Sequence, residues 1–265
     1  MRFKLTIEYA GTRYSGWQVQ KNARTVQGDI SRAIATVTGI DDFELYGSSR
    51  TDAGVHALAQ VAHLDLQTRL TPEILLRRVN DELPADINIL QIEPVRHTFH
   101  ARHSASSRRY IYQVSRRRTA FAKPFVWWVK EPLDLDRMRA AAQRFVGFHD
   151  FQSFSDDDAK AKSTEVRLEM LDIREEDDLI LFTVDGSHFL WKMVRRLVGV
   201  LVDVGRGGLS PEDAAAMLTS ASDLPAKLTA PAAGLFLAQV RYEREREAPV
   251  RAPRTGRPVR RFAPR

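Results

Sequence analysis

The chain has 265 residues, 43% hydrophobic and 28% charged, which is typical of a globular protein that buries a sizeable core. It contains no cysteine and no stretch of roughly 18 uninterrupted apolar residues, which excludes disulfides, thiolate chemistry, cysteine-ligated zinc and a membrane span and suits a cytoplasmic protein. The net charge is +6, but residues 244–265 hold eight arginines and two glutamates, so the remaining body is formally neutral.

The first half of the chain alternates strand and helix patterns. Residues 25–39 place apolar side chains at helical spacing and end at a glycine, which predicts a helix. Residues 71–83 predict a second helix, because Thr71 is a suitable N-cap and Pro72 takes the first helical position. Strands are predicted at 3–11, 43–49, 57–66 and 86–95. The predicted order is β-α-β-β-α-β.

The second half repeats this order. Helices are predicted at 134–147 and 189–205, and strands at 108–116, 164–175, 179–187 and 234–243. Two such units predict an α+β fold of two ferredoxin-like halves with mainly antiparallel sheets, residues 1–105 and 106–243. The Arg- and Pro-rich segment 244–265 is predicted to be a disordered tail, either a solvated terminus or a weak electrostatic tether for a polyanion.

Several kinds of functional site lack the residues they need. His97, His100 and His103 recur every three residues, but no carboxylate or cysteine close by completes a ligand set, so we predict no metal. No phosphate-binding or dinucleotide glycine motif is present, and we predict no cofactor. Candidates for a serine triad occur within 48–56, but the G-x-S-x-G turn does not.

The stretch SSRTDAGVHA (48–57) breaks the alternation expected of a half-buried strand. Its charged residues, Arg50 and Asp52, share one face if the chain is extended. A neighbouring guanidinium favours the ionised carboxylate, and Gly54 permits the close approach of another backbone. The spacing alone leaves two interpretations open: an exposed ion pair at a strand end, or a carboxylate held ready for catalysis.

The string RTDAGVHA (50–57) resembles the signature of the TruA family of tRNA pseudouridine synthases. Further blocks resemble the family in the same order between residues 8 and about 240, among them EYAGTRYSGWQ, NDELPADI, FHARHSASSRRYIY, GFHDFQSF, KMVRRLVG and APAAGLFL. The resemblance implies the pseudouridine synthase fold, tRNA as the partner, and a homodimer without metal or cofactor. It also implies isomerisation of uridine to pseudouridine at positions 38, 39 and 40 of the anticodon stem-loop.

The resemblance assigns roles to individual residues. Asp52 matches the essential catalytic aspartate, and Arg195 matches the basic residue that pairs with it. Tyr110 matches the tyrosine that packs against the target base, and Leu235 matches an apolar wall of the pocket. Arg50 matches the arginine that enters the space left when the target nucleotide flips out.

Short basic runs in the neutral body predict where RNA binds. They are interleaved with aromatic residues, including Tyr110 and Trp191, and this mixture suits phosphate contacts and base stacking. The predicted RNA-binding residues are Arg50, Arg102, Arg108, Arg109, Lys192 and Arg196. Two other hypotheses stay open: a non-catalytic RNA-binding protein of ferredoxin-like fold, and an RNA chaperone that acts mainly through the tail.

Two positions depart from the family pattern. Ser49 stands where the family usually has glycine, and we expect a slight cost unless that position needs a positive φ. Ala10 stands where the family usually has aspartate, which puts any polar contact at that position in doubt. Neither residue is one of the predicted catalytic groups.

Overall fold

The computed structural model describes residues 1–156 and 163–242. The predicted tail, residues 244–265, lies outside the described residues. The strands within the described ranges are β1 Arg2–Tyr9, β2 Glu44–Gly47, β3 His56–Asp65, β4 Ile87–Val95, β5 Ala105–Ser115, β6 Trp127–Trp128, β7 Gly147–Asp150, β8 Glu165–Glu176, β9 Leu179–Gly186 and β10 Leu235–Tyr242. The α-helices there are α1 Val26–Thr38, α2 Pro72–Glu82, α3 Leu135–Phe145, α4 Met193–Arg206, α5 Pro211–Ala216 and α6 Leu224–Lys227.

Local signals fix the helices of the first half as predicted. The Thr25 side chain accepts a hydrogen bond from the Gly28 amide at the start of α1, and Gly39 ends that helix in the left-handed conformation at φ 67°. The Thr71 side chain accepts from the Ile74 amide at the start of α2. These caps satisfy backbone groups that have no partner within the helix.

The second half differs from prediction at two helix ends. The helix predicted at 134–147 ends at Phe145, because Gly147 (φ 124°) already belongs to β7, which pairs with β8. The helix predicted at 189–205 begins only at Met193, because Lys192 adopts the left-handed conformation at φ 63° and interrupts the helical backbone. The sequence prediction also missed α5, although Ser210 and Asp213 form a capping box at its start.

The strands form one continuous sheet in the order β4-β1-β3-β10-β5-β9-β8-β7, with β2 on β3 and β6 on β5. Within each half, the four main strands follow the ferredoxin-like order 4-1-3-2: β4-β1-β3-β2 in the first half and β10-β5-β9-β8 in the second. Pairing within both halves is antiparallel apart from the short β5–β6 contact. The predicted α+β fold of two ferredoxin-like halves is confirmed.

The two halves meet along β3. One edge of β3 pairs with β1 over nearly its whole length, from Ala57 to Asp65. Its other edge is shared: Ala62–Asp65 pair with β2, whereas His56 and Ala57 pair in parallel with Phe236 and Leu237 of β10. Because β2 is only four residues long, it leaves room for β10 on the same edge.

A single hydrophobic core spans both halves and includes Ile30 and Leu64 in the first, and Met138, Phe182 and Leu201 in the second. Burial of this apolar surface is the main stabilising contribution to the fold. No helix among residues 1–156 and 163–242 is long and apolar enough to cross a bilayer. The apolar helix α4 is instead enclosed by the protein, with most of its residues buried.

Candidate active site

A cleft of about 740 Å³ lies between the two halves. The first half contributes the β2–β3 connection, residues 48–55. The second half contributes side chains from β5, from the chain leading into α4, from the first turn of α4 and from the start of β10, among them Tyr110, Trp191, Arg195 and Leu235. The cleft therefore lies where the short strand β2 ends and β10 enters the sheet.

A buried glutamine holds the start of the β2–β3 connection. Gln60 on β3 is completely buried; its amide nitrogen donates to the Ser49 carbonyl at 2.8 Å, and its amide oxygen accepts from the Ser48 hydroxyl at 2.8 Å and the Ser49 amide at 3.3 Å. The Ser48 amide donates to the Val61 carbonyl at 2.7 Å. Beyond the last β2–β3 pair, the Gln60 side chain therefore makes the hydrogen bonds to the backbone that a paired strand would otherwise make.

The middle of the connection is fixed from the β1 side. The hydroxyl groups of Tyr9 and Thr51 lie 2.7 Å apart within hydrogen-bonding distance, and both residues are buried. The Trp17 amide donates to the Thr51 carbonyl at 3.1 Å. Gly54 turns the chain at φ 78°, a left-handed conformation that side chains disfavour. These contacts hold Asp52 between two anchored positions.

Asp52 forms an ion pair with Arg195 across the cleft. The Arg195 Nη1 lies 3.3 Å from the Asp52 Oδ2, and the two side chains are 21% exposed for Asp52 and 17% for Arg195. Arg195 is itself positioned, because its Nε donates to the Ala230 carbonyl at 2.8 Å. A guanidinium at this distance orients the carboxylate and leaves its second oxygen available to a ligand in the cleft.

An aromatic wall faces this ion pair. Tyr110 is 8% exposed, and the ring of Phe189 packs against it edge to face with centroids 5.0 Å apart. Burial raises the pKa of Tyr110 to about 12; a hydrogen bond with the Ser49 side chain acts in the opposite direction, and the negative charge of Asp52 adds to the increase. Tyr110 is therefore a neutral phenol at physiological pH, and with the buried Leu235 it gives the cleft a flat, apolar surface.

The structure divides the predicted RNA-binding residues into two groups. Arg50, Arg102, Arg108 and Lys192 line the cleft, and Arg50 is exposed there. Arg108 is buried, because its guanidinium donates to backbone carbonyls, among them those of Arg102 at 2.7 Å and Ser187 at 2.9 Å. Arg108 therefore connects the segments around residues 102 and 187 at the edge of the cleft.

The other two predicted RNA-binding residues do not line the cleft. Arg109 lies on the opposite face of β5 from Tyr110 and forms two hydrogen bonds with Asp185, at 2.6 and 2.5 Å. Arg196 is buried on α4 and forms an ion pair with Asp156. Sequence alone placed them near the site because each is adjacent in the chain to a residue that lines it.

The two departures from the family pattern are accommodated without strain. Ser49 does not have a positive φ, so its side chain costs no backbone strain. Ala10 has an ordinary extended backbone (φ −90°, ψ 103°), and its amide donates to the Asp86 carbonyl at 2.9 Å. Position 10 is therefore held by a backbone hydrogen bond.

Histidines gather at the opposite end of β3. The rings of His63 and His100 lie 4.7 Å apart and those of His100 and His103 lie 4.3 Å apart. Among the described residues, Glu44, His63 and Asp65 place potential ligand atoms within 4.8 Å of one another. Two of these three groups have other partners: Arg2 donates to both oxygens of Asp65, and the His63 Nδ1 accepts from the Ala101 amide at 3.2 Å.

Sequence reasoning missed two residues that shape the site. Gln60 anchors the β2–β3 connection, and Phe189 supports Tyr110. A glutamine at an inward position of a predicted strand is a signal that was available, because a buried amide needs partners. Phe189 carried no comparable signal, since apolar residues before a helix are common.

The paired carboxylate and guanidinium, faced by an aromatic wall, lie at the junction of two ferredoxin-like halves. The profile of a family described as tRNA pseudouridine synthase matches residues 5–104 and 141–243. This chain belongs to that family.

Individual relatives agree with the profile. The tRNA pseudouridine synthase A of Nitrobacter winogradskyi is 42% identical over 245 residues, covering 91% of this chain and 96% of that protein. The protein of the same name from Rhodopseudomonas palustris is 43% identical, with coverage of 91% and 99%, and that of a Thermoanaerobacter species is 39% identical, with coverage of 90% and 98%. A chain of a solved Cbf5-Nop10-Gar1 complex covers 75% of this chain and 54% of its own length at a TM-score of 0.33 and 10% identity, too distant to support a conclusion.

Proposed function

We propose that this protein isomerises uridine to pseudouridine at positions 38, 39 and 40 of the tRNA anticodon arm, with Asp52 as the catalytic group. Membership of the tRNA pseudouridine synthase family supports uridine isomerisation in tRNA. The single observation that supports the role of Asp52 is its ion pair with Arg195 in a cleft formed by both halves.

The reaction needs no oxidant or reductant. The N1–C1′ bond breaks, the uracil turns over, and a C5–C1′ bond forms; the C5 proton is lost and N1 gains a proton. An ionised carboxylate serves this sequence by attacking C1′, by attacking C6, or by removing a proton from C2′. Each alternative places Asp52 beside the target nucleoside with Arg195 keeping its carboxylate oriented.

A uridine within an RNA helix reaches Asp52 only after it leaves the base stack, which costs a few kcal/mol. In our proposal, the exposed Arg50 fills the space left in the RNA, and Tyr110 provides the surface on which the displaced uracil rests. Tyr110 suits this role because it is buried, neutral and braced by Phe189. Arg102 and Lys192, which line the same cleft, contact the phosphates.

The resemblance to the TruA family also supports a homodimer located in the cytoplasm, acting without metal or cofactor. A homodimer requires a mass in solution of twice the 30.1 kDa of one chain. The predicted division into residues 1–105 and 106–243 stays a proposal, since both halves share one sheet.

The test is conversion of an unmodified tRNA, mapped by carbodiimide-blocked primer extension. We expect pseudouridine wherever uridine stands at positions 38, 39 or 40, and none when cytidine replaces it. We expect Asp52→Asn to lower the single-turnover rate on the order of a thousandfold or more while tRNA binding is kept. Binding without conversion by the unaltered protein would instead identify a non-catalytic RNA-binding protein.

Asp177→Asn is the matched control. Asp177 lies in the two-residue turn between β8 and β9 with φ 53°, and asparagine tolerates that conformation as well as aspartate does. This variant makes the same chemical change at the equivalent connection of the other half, and we expect the wild-type rate. A wild-type rate for Asp52→Asn would show that the catalytic group is another residue.

A further inference from the structure

We propose that Trp191 forms a stacking subsite for the nucleotide adjacent to the target uridine. This inference rests on the proposed function, because it assigns a second nucleotide to the same cleft. It concerns a nucleobase of the RNA substrate and gives Trp191 a positioning role in the reaction.

The cleft is larger than one base requires. Its volume of about 740 Å³ lies in the range that buries a whole drug-sized ligand, whereas uracil is a single six-membered ring. The Asp52–Arg195 ion pair, Tyr110 and Leu235 line it, and Trp191 is a further lining residue. The cleft therefore has room for a nucleotide besides the one that reacts.

Trp191 is largely exposed. Its exposed fraction is 53%, compared with 41% for Trp128 and 1% for Trp17. Exposed aromatic faces on an RNA-binding surface stack on bases, with a contribution that tolerates any base because each has a π-face. An exposed indole inside a cleft that binds RNA has the chemistry of such a platform.

The indole is held in place by charged neighbours. The Lys192 Nζ lies 4.9 Å from the centroid of the Trp191 ring and 2.6 Å from the Asp156 Oδ2. The Asp156 amide also donates to the Trp191 carbonyl at 3.4 Å. A cation over a ring restricts it, so less conformational entropy is lost when a base stacks on it.

The backbone beside Trp191 is strained. Lys192 has φ 63° and ψ 0°, a left-handed conformation with a steric cost for a residue that has a Cβ atom. Non-glycine residues held in this region concentrate at ligand-binding sites, where the surrounding structure maintains them. This conformation ends the helical backbone just before α4, so Trp191 lies outside the helix and lines the cleft.

The experiment combines a protein change with an RNA change. Single-turnover kcat/KM is measured for wild type and Trp191→Ala on a synthetic anticodon arm, and again with an abasic residue on the 5′ or the 3′ side of the uridine that wild type converts. We expect Trp191→Ala to lower kcat/KM about tenfold on the intact RNA, in the range found for loss of one base stack. On the RNA abasic at the stacked neighbour, we expect the same substitution to change kcat/KM less than about twofold.

Two further variants serve as controls. Trp191→Phe retains a ring and should keep most of the rate. Phe148→Ala removes another exposed aromatic ring, 56% exposed with the Arg167 guanidinium 5.9 Å from its centroid, that does not line the cleft. We expect it to match wild type on every RNA.

The outcomes separate the subsite from the proposed function. If wild type converts the RNA but the effects of Trp191→Ala and of both abasic residues are independent, the stacking subsite is wrong and the proposed function stands. A Trp191→Ala variant as active as wild type overturns the subsite too. If wild type converts no uridine, the proposed function itself fails.

Discussion

The same connection is built differently in the two halves of the sheet. Each half follows the strand order 4-1-3-2, and in each half a connection joins the second strand to the third. In the second half, β8 and β9 are joined by two residues, Asp177 and Asp178. In the first half, residues 48–55 separate β2 from β3 and include Arg50 and Asp52.

The length of the second strand explains this difference. β8 has twelve residues and pairs with β9 from Leu168 to its end at Glu176, so a tight turn joins the two strands. β2 has four residues, and the chain must cross the part of β3 that β2 leaves unpaired. β10 occupies the end of that same edge, so the crossing segment lies beside the other half of the protein. The shortened strand thus produces both the junction and the cleft.

The two connections also differ in how they are anchored. The tight β8–β9 turn is closed by strand pairing, whereas residues 48–49 depend on the Gln60 side chain. We expect Gln60→Ala to lower the free energy of unfolding by about 2–3 kcal/mol, because buried groups of Ser48 and Ser49 lose their partner. The single-turnover rate should fall at least about tenfold, because the loop that carries Asp52 loses its fixed position. Urea unfolding and single-turnover kinetics measure the two effects.

Gln113→Ala is the matched control for this prediction. Gln113 is also completely buried, and its amide donates at 3.1 Å to the carbonyl of Phe125, in a segment that does not line the cleft. We expect Gln113→Ala to lower the free energy of unfolding without lowering the single-turnover rate of the folded enzyme. Equal rate losses in the two variants would show that anchoring of the 48–55 connection is not what matters.

The halves should also respond differently to acid. β3 contains two buried imidazoles, His56 and His63, whereas its counterpart β9 contains none. Burial, with the Arg2 guanidinium nearby, lowers the pKa of His63 from 6.5 to about 4. Between pH 4 and 6.5 the unfolded chain binds a proton at His63 that the folded protein does not bind. The contribution of the neutral His63 to the free energy of unfolding is therefore fully present above about pH 6.5 and is lost as the pH falls towards 4.

We expect His63→Asn to reduce this acid sensitivity by about 2 kcal/mol across the pH window. The amide oxygen of the introduced asparagine can accept from the Ala101 amide as the imidazole does, so the fold should be kept. Urea unfolding between pH 4 and 7 measures how steeply the free energy of unfolding depends on pH. Hydrogen exchange should show β3 opening before β9 in the wild type. Parallel slopes for variant and wild type would contradict the assignment to His63.

The smallest effect is expected at Ser49. Its side chain interacts with Tyr110, but its backbone does not need the freedom of glycine. We expect Ser49→Gly to change the single-turnover rate less than about twofold and to lower stability by about 0.5–1 kcal/mol through the flexibility of the unfolded chain. Ser49→Ala removes the hydroxyl without adding the flexibility of glycine, so it separates the effect of the side chain from that of the backbone. A tenfold slower Ser49→Ala would show that the hydroxyl orients Tyr110.

Sequence prediction succeeded where the signal is local. Thr25 and Gly39 cap α1 from within its own turns, so their roles were visible in the sequence. It failed at the start of α4: the helix begins only at Met193 because Lys192, which pairs with the distant Asp156, is left-handed. Arg108 and Arg109 are adjacent and chemically alike, yet only the fold shows that one is buried beside the cleft and the other faces Asp185.

The sequence by itself determined the β-α-β-β-α-β order of the main elements in each half, the duplicated α+β architecture and the family to which the motif around Asp52 belongs. Periodicity, capping and a short polar motif are properties of neighbouring residues, so they can be read along the chain. The tertiary structure alone decided which residues meet. Asp52 and Arg195 are 143 positions apart, and they lie 3.3 Å from each other because a short β2 lets β10 join the two halves beside β3.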